Sequence, residues 1–221
     1  MESIEFQGLK VPVDPDILFG GILRRVRTGR YERHEINAGL SLVKPDDRVL
    51  DIGAGIGLTG SVMSRVGGAA AVMSVEANPK LVPQIEELHH ANGIDNVEVV
   101  NAALGHEASG SVSFYLREMF WSSSLDGERD FVEKVQIPRR DFNKLVRDFA
   151  PTLIMCDIEG GELDLFDERA ELDTVRAIVL ELHPDRTPKA GIHKLFTALL
   201  DKGFCYSCDL SFKNVVAFDR V

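Results

Sequence analysis

Arg48 to Gly60 read R-V-L-D-I-G-A-G-I-G-L-T-G. The apolar, β-prone run Val49 to Ile52 ends in glycines at alternate positions, Gly53, Gly55 and Gly57, and a helix-like segment, Leu58 to Val66, follows. This predicts a strand, a tight turn and a helix start. Glycine tolerates positive φ and carries no Cβ, so a ligand can lie against the backbone while amides at the helix N-terminus point at it. The turn is a candidate nucleotide cradle.

Two cofactor classes use such a cradle. Gly55-Ile56-Gly57-Leu58-Thr59-Gly60 is a G-x-G-x-x-G, the dinucleotide fingerprint. From Asp51 the same residues run D-x-G-x-G-x-G, which looks like the first motif of the S-adenosylmethionine-dependent methyltransferases. Glu76 closes the next apolar run, Ala71 to Val75, where a carboxylate can accept hydrogen bonds from ribose hydroxyls in either class. The rest of the chain must separate them.

A chain of 221 residues suits one core. Asp and Glu number 35 against 25 Lys and Arg, a net charge of -10 that repels phosphate backbones, so no nucleic-acid partner is expected. The one basic cluster, Arg24, Arg25, Arg27, Arg30 and Arg33, has helical spacing and reads as a solvated or ion-paired face. Met1 to Lys10 lacks a secretory pattern and no apolar run is long enough for a bilayer, so a cytoplasmic protein without a membrane partner is expected. Three cysteines fit a reducing compartment, and Cys205 with Cys208 has no second pair to complete a zinc site. No feature specifies an oligomer.

In chain order, Ile4 to Val13 alternates like a short hairpin, and Ile17 to Val43 predicts two short helices broken at Thr28-Gly29. Residues 1–44 are expected to form a cap segment over a domain of residues 45–221. After the glycine turn come a strand to Glu76, a helix from Pro79 to about Ala91 closed by Asn92-Gly93, and a strand Val97 to Val100. Ser111 to Leu116 and Val132 to Ile137 predict extra strands flanking a loop with the only tryptophan, Trp121, beside Ser123 and Ser124. A helix Asp141 to Phe149, core strands Thr152 to Cys156 and Ala177 to Leu182, a helix from Lys189 to Leu200 and two closing strands, Phe204 to Leu210 and Val215 to Phe218, complete the chain. The expected fold is α/β, a doubly wound, mostly parallel sheet with a C-terminal antiparallel hairpin. Ligands of such sheets lie beyond the carboxyl ends of the strands, where Asp157, Glu159, Glu181 and His183 fall.

The closing hairpin favours the methyltransferase pattern over the dehydrogenase one. The chain resembles the FkbM-type methyltransferases in G-R-Y-E from Gly29, D-I-G-A-G-I-G-L-T from Asp51, V-E-A-N-P from Val75, N-G-I-D-N-V-E-V-V-N-A-A-L-G from Asn92, Ser123 and Ser124, C-D-I-E-G-G-E-L-D-L-F from Cys156, and I-V-L-E-L-H-P from Ile178. It departs in Ala54, where Asn is more frequent, and in Ala77, where Pro is frequent.

The resemblance implies S-adenosylmethionine as cofactor, held by Asp51, Gly53, Ala54, Gly55, Gly57, Glu76, Ala77, Asn78, Asn101, Ala102, Asp157 and Glu32. Glu76 would take the ribose, Asn101 and Ala102 would border the adenine, and the acidic groups would face a sulfonium cation. Trp121, Ser123, Ser124 and Glu159 are expected at an acceptor, a small-molecule or sugar hydroxyl. His183 has the intrinsic pKa of a base for that hydroxyl, with Asp157 and Glu181 to orient or replace it. No metal is expected, since carboxylates beside a cofactor cation account for the cluster. The alternatives are a nicotinamide-dependent oxidoreductase and a non-catalytic cofactor-binding module.

Overall fold

Strands with apolar residues on both faces need helices on both sides, and the chain supplies them in two batches. The computed structural model describes residues 2–107 and 110–220. A hairpin of β1 (Ser3–Phe6) and β2 (Leu9–Pro12) precedes α1 (Gly20–Arg27) and α2 (Arg33–Leu42). Then come β3 (Arg48–Ile52), α3 (Leu58–Arg65), β4 (Ala71–Glu76), α4 (Val82–Asn92) and β5 (Val97–Asn101). Next are β6 (Ala103–Gly105), β7 (Ser111–Leu116), β8 (Glu133–Asp141) and α5 (Phe142–Phe149). The chain ends with β9 (Leu153–Cys156), α6 (Glu162–Leu165), β10 (Ala177–Glu181), α7 (Lys189–Asp201), β11 (Cys205–Tyr206) and β12 (Val215–Asp219).

Seven strands form the main sheet in the order β11-β12-β10-β9-β3-β4-β5. Only β12 is antiparallel to its neighbours; the pairs from β10 to β5 are parallel. The pleat divides the core. Val49, Val72, Leu153, Met155, Val179 and Ala217 face the hairpin and α1 to α4, sharing one cluster with Phe6, Leu9, Ile22, Val26 and Ile36. Leu50, Ile52, Met73, Ile154, Ile178, Leu180 and Phe218 face α5 to α7, packing on Phe142, Phe149, Phe166, Leu195 and Leu199. The winding reverses between β3 and β9, and their carboxyl ends open the crevice in which doubly wound proteins bind ligands.

Several expectations need correction. The helix expected at Pro79 begins at Val82, because Asn78 Oδ1 accepts from Lys80 N at 3.0 Å and Leu81 N donates to Asn78 O, closing a separate turn. Pro83 takes the first-turn place instead. The strand Phe204 to Leu210 shrinks to two residues, since Leu210 N turns back to Ser207 O and Ser207 Oγ bonds Asp219. The extra strands join the unforeseen β6 in a three-stranded sheet, order β6-β8-β7. The single turn α6 was also unforeseen. Cys205 and Cys208 are exposed free thiols. All five N-terminal arginines are exposed, and Arg27 pairs with Glu2 at 2.8 Å.

At the opposite ends of the central strands, Asp47 is 3% exposed and gathers four donors. Lys44 N reaches Oδ2 at 2.6 Å, Thr152 Oγ1 reaches Oδ1 at 2.7 Å, and Arg176 bonds both oxygens while also donating to Leu42 O at 2.6 Å. Burial alone would raise the Asp47 carboxyl; these bonds reverse the effect and hold it below its ordinary value. The cluster ties the entrances of β3, β9 and β10 to the end of α2. Arg176→Ala leaves that carboxylate buried without its cation and should lower the unfolding free energy by about 3 kcal/mol in urea titrations. A loss within error would show that the clamp is dispensable.

Candidate active site

The turn after β3 is built against its neighbours before any ligand is considered. Gly53 has φ +86, and a Cβ on it would lie 1.8 Å from the Asp157 carbonyl oxygen at the tip of β9. Gly53 N and Ala54 N both donate to Val75 O, at 2.9 and 3.1 Å, which hangs the turn from β4. Gly55, φ +56, faces the crevice, with only the Tyr31 hydroxyl, 3.0 Å away, and Glu32 near its missing Cβ. Gly57 and Gly60 serve packing instead: added Cβ atoms would meet Ile85 at 2.8 Å and Ser74 Oγ at 2.4 Å. Of the alternating glycines, Gly53 and Gly55 line the cavity.

Glu76 lies across this turn. Gly55 N donates to its Oε2 and Asn78 N to its Oε1, both at 2.7 Å, so each oxygen keeps acceptor capacity for a ligand hydroxyl. Burial raises the carboxyl to about 7 against the pull of those amides. Asn101 Nδ2 donates to Glu76 O at 2.8 Å and Ala77 O at 3.2 Å, fixing the lip of the site; Ala77 and Ala102 form its wall. Asn78 and Asn101 brace the loop and Ala54 sits beneath it, so none of the three lines the cavity. Asp51 also lies below, accepting from Ser74 Oγ at 3.0 Å, with its carboxyl raised to about 6 by burial.

The cavity holds about 290 Å³ and runs from the glycine turn to the small sheet. Glu32 enters from the start of α2 in a left-handed conformation, φ +41, bonded to the Thr59 hydroxyl and to Tyr31; burial raises its carboxyl to about 8. Trp121 stands at the rim, 38% exposed, its indole edge-on to Phe120 at 5.2 Å. Ser123 and Ser124 also line it, and both hydroxyls accept from Arg117, at 3.0 Å from its N–H and 2.9 Å from its guanidinium. They hold the loop in shape and keep their own protons free to donate.

The acidic end is deeper than strand-end positions suggest. Asp157 and Glu159 line the cavity, whereas His183 and Glu181 lie behind them. His183 Nε2 is 3.4 Å from Asp157 Oδ1 and 3.7 Å from Glu159 Oε2, and its Nδ1 is 3.2 Å from Glu162 Oε1. Arg186 Nη2 pairs with Glu159 Oε2 at 2.9 Å. Burial, then Glu181, Glu32 and Glu159, push Asp157 well above the carboxylate range; burial and Glu35 bring Glu181 to about 7. Burial opposes the charged imidazole of His183, but the hydrogen bond and charge of Glu162, with Glu159 and Glu181, hold it above its ordinary value. Donor atoms of Asp157, Glu159 and His183 lie within 4.8 Å of one another, close enough to share a divalent cation, and Arg186 already brings a positive charge to Glu159. Tyr31, Glu35, Glu162 and Arg186 were missed from the sequence. Glu162 had a visible signal, the second carboxylate in D-I-E-G-G-E, and Tyr31 lay within the matched G-R-Y-E; Glu35 and Arg186 had none.

Sheet order, crevice and cradle together define a class I methyltransferase fold. Residues 51–206 match the methyltransferase FkbM domain, and the chain belongs to that family. A solved FkbM methyltransferase from Methylobacillus flagellatus superposes with a TM-score of 0.51 at 16% identity, covering 81% of this chain and 45% of that one. The chain is 32% identical over 147 residues to the 23S rRNA (uracil(1939)-C(5))-methyltransferase RlmD of Xanthomonas axonopodis, covering 60% of this chain and 32% of that protein. It is 36% identical over 92 residues to the ribosomal protein L11 methyltransferase of Clostridium perfringens, covering 41% of this chain and 27% of that protein. The chain thus spans less than a third of the length of either curated relative. One of them bears the name of an RNA methyltransferase, so the relatives do not support a general exclusion of nucleic acid. Among the described residues no helix is long and apolar enough to cross a membrane.

The buried carboxylates have a consequence for stability. Glu32 and Glu76 keep protons in the folded state, to about 8 and about 7, that the unfolded chain releases near its ordinary value of 4.5. The native state then binds more protons, so the unfolding free energy falls as pH rises from the ordinary value toward the folded one. Ligand-free protein should melt at a lower temperature at alkaline pH than at mildly acidic pH, and Glu32→Gln should flatten the decline. A melting temperature that climbs over that window contradicts the assignment.

Proposed function

We propose that this chain is an S-adenosylmethionine-dependent methyltransferase that methylates a hydroxyl of a small molecule or sugar. The observation that carries this is the Glu76 carboxylate, held between the Gly55 and Asn78 amides at 2.7 Å each, at the lip of a cavity walled by Glu32 and Asp157. Ribose hydroxyls suit Glu76, the left-handed turn at Gly53 and Gly55 lets the backbone approach, and Ala77 and Ala102 leave a flat apolar wall for a purine. Glu32, Asp157 and Asp51 hold their protons by burial, and a sulfonium beside them favours their ionised forms, which in turn favour the sulfonium over its neutral product. When bound, the cofactor supplies a methyl group on that sulfonium as electrophile.

The chain's own part is then to place the acceptor and remove its proton. Trp121, Ser123, Ser124 and Glu159 surround the space left for the acceptor, and positioning in line with the methyl supplies much of the acceleration. With a sulfonium beside it Asp157, which lines the cavity, would be ionised and could take the hydroxyl proton, with His183 Nε2 3.4 Å behind it to receive it in turn. Glu181 adds negative charge that steadies the imidazolium. The net charge of -10 favours a small acceptor over a phosphate backbone. A nicotinamide cofactor is supported only by the Gly55 to Gly60 spacing, whereas the family match spans residues 51–206.

Calorimetry should detect S-adenosylhomocysteine binding and none of NAD; the reverse would replace this reading with an oxidoreductase. Gly55→Val puts a branched side chain against the Tyr31 hydroxyl and into the cradle. It should weaken S-adenosylhomocysteine by at least about 100-fold, the equivalent of roughly 2.7 kcal/mol, and normal affinity would remove the cradle from the account. His183→Ala should leave that affinity intact while lowering transfer of labelled methyl groups into a small-molecule extract by roughly 100-fold or more. Undiminished transfer would reduce His183 to scaffold, and no transfer by the unaltered protein to any acceptor would leave only a binding module.

A further inference from the structure

Glu162 has no part in cofactor or acceptor contact, yet it is 1% exposed, and burying a carboxylate that deeply is costly unless donors converge on it. Three do. Ile158 N, Gly160 N and the Nδ1 of His183 all lie 3.2 Å from Glu162 Oε1. The loop is bent to bring them there: Glu159 is left-handed at φ +58 and Gly160 at φ +105, while Arg186 fastens Glu159 by its carbonyl and its carboxylate, both at 2.9 Å. Oε1 already accepts from two backbone amides, so the third bond takes its hydrogen from the ring nitrogen facing it. A neutral imidazole has one N–H, and with it spent on Glu162 the lone pair sits on Nε2, the nitrogen that faces Asp157.

We propose that Glu162 is a positioning residue that fixes His183 in the Nδ1–H tautomer and so keeps Nε2 ready to receive the proton leaving the acceptor. The inference rests on the proton route through Asp157 and His183 proposed above. The other charged groups around the ring are Asp157 and Glu159 after β9, Glu181 on β10 with Glu35 of α2 behind it, and Arg186 beyond β10. Of these Glu162 alone pairs with Nδ1. Glu159 and Asp157 lie on the Nε2 side at 3.7 and 3.4 Å without a hydrogen bond to the ring, and Asp157 Oδ1 has no partner at all, so neither competes with the bond that Glu162 offers Nδ1.

The test is long-range nitrogen–proton correlation spectroscopy on the full chain labelled at its six histidines, with His183→Gln assigning the resonances. The unaltered ring should be neutral as the Nδ1–H form at alkaline pH. Glu162→Gln keeps an acceptor oxygen and removes the charge: the tautomer should persist while the proton affinity of His183 falls about tenfold. Glu162→Ala should switch the ring to the Nε2–H form. In labelled methyl transfer to a small-molecule extract, the acid limb of the rate profile should move to lower pH in the Gln variant, with part of the turnover retained. A proton affinity of His183 that does not fall in Glu162→Gln, or an acid limb that stays in place while it falls, overturns the proposal. If the Ala variant does not fold, the Gln variant decides alone. Failure of S-adenosylhomocysteine to bind would strike the cofactor reading and leave the Glu162 to His183 result to be judged by the spectra.

Discussion

The molecule depends on the close meeting of two strand tips. Where the winding of the sheet reverses, the chain leaving β3 has to pass the chain leaving β9, and Gly53 sits so near the Asp157 carbonyl that a single added carbon would collide with it. That approach sets the floor of the crevice. It leaves Gly55 facing open space, hangs the turn from Val75, and puts the Glu76 carboxylate within reach of the Gly55 amide. The same meeting brings the Asp157 side chain beside the cradle, so binding and chemistry share one wall.

Charge is the second organising feature. Glu32, Asp51, Glu76, Asp157 and Glu181 are all held above the ordinary carboxylate range by burial, with like neighbours adding to it at all of them but Asp51. Backbone amides offset the cost at Glu76 and hydroxyls at Glu32 and Asp51. Asp157 is different: its Oδ1 is buried with no hydrogen-bond donor. A protein accepts such a liability where a cation or a moving proton will meet it. The cofactor reading and the proton route both draw on this oxygen.

The main sheet was legible because its strands are continuous apolar runs and its helices have the period of a half-buried surface; Val49 to Ile52 and Ala71 to Val75 could be little else. The small sheet was only half legible, because β6 is three residues long and depends for its pairing on residues of β8 that lie 36 positions on, Ala103 opposite Arg139. Site residues at strand ends were found by position alone. Position does not reveal depth, and so His183 and Glu181 were placed on the same footing as Asp157 and Glu159, which stand in front of them. Glu32 was found as an acidic residue near the cradle, but nothing local announces that a non-glycine residue would turn left-handed there and carry Tyr31 into the wall.

Trp121 gives the mouth of the cavity a property of its own. It is the sole indole in the chain, partly in solvent, on the loop that Arg117 holds through Ser123 and Ser124. The intrinsic emission of the protein therefore originates almost wholly at that threshold, and its colour and intensity describe the wetness of one doorway instead of an average over the molecule.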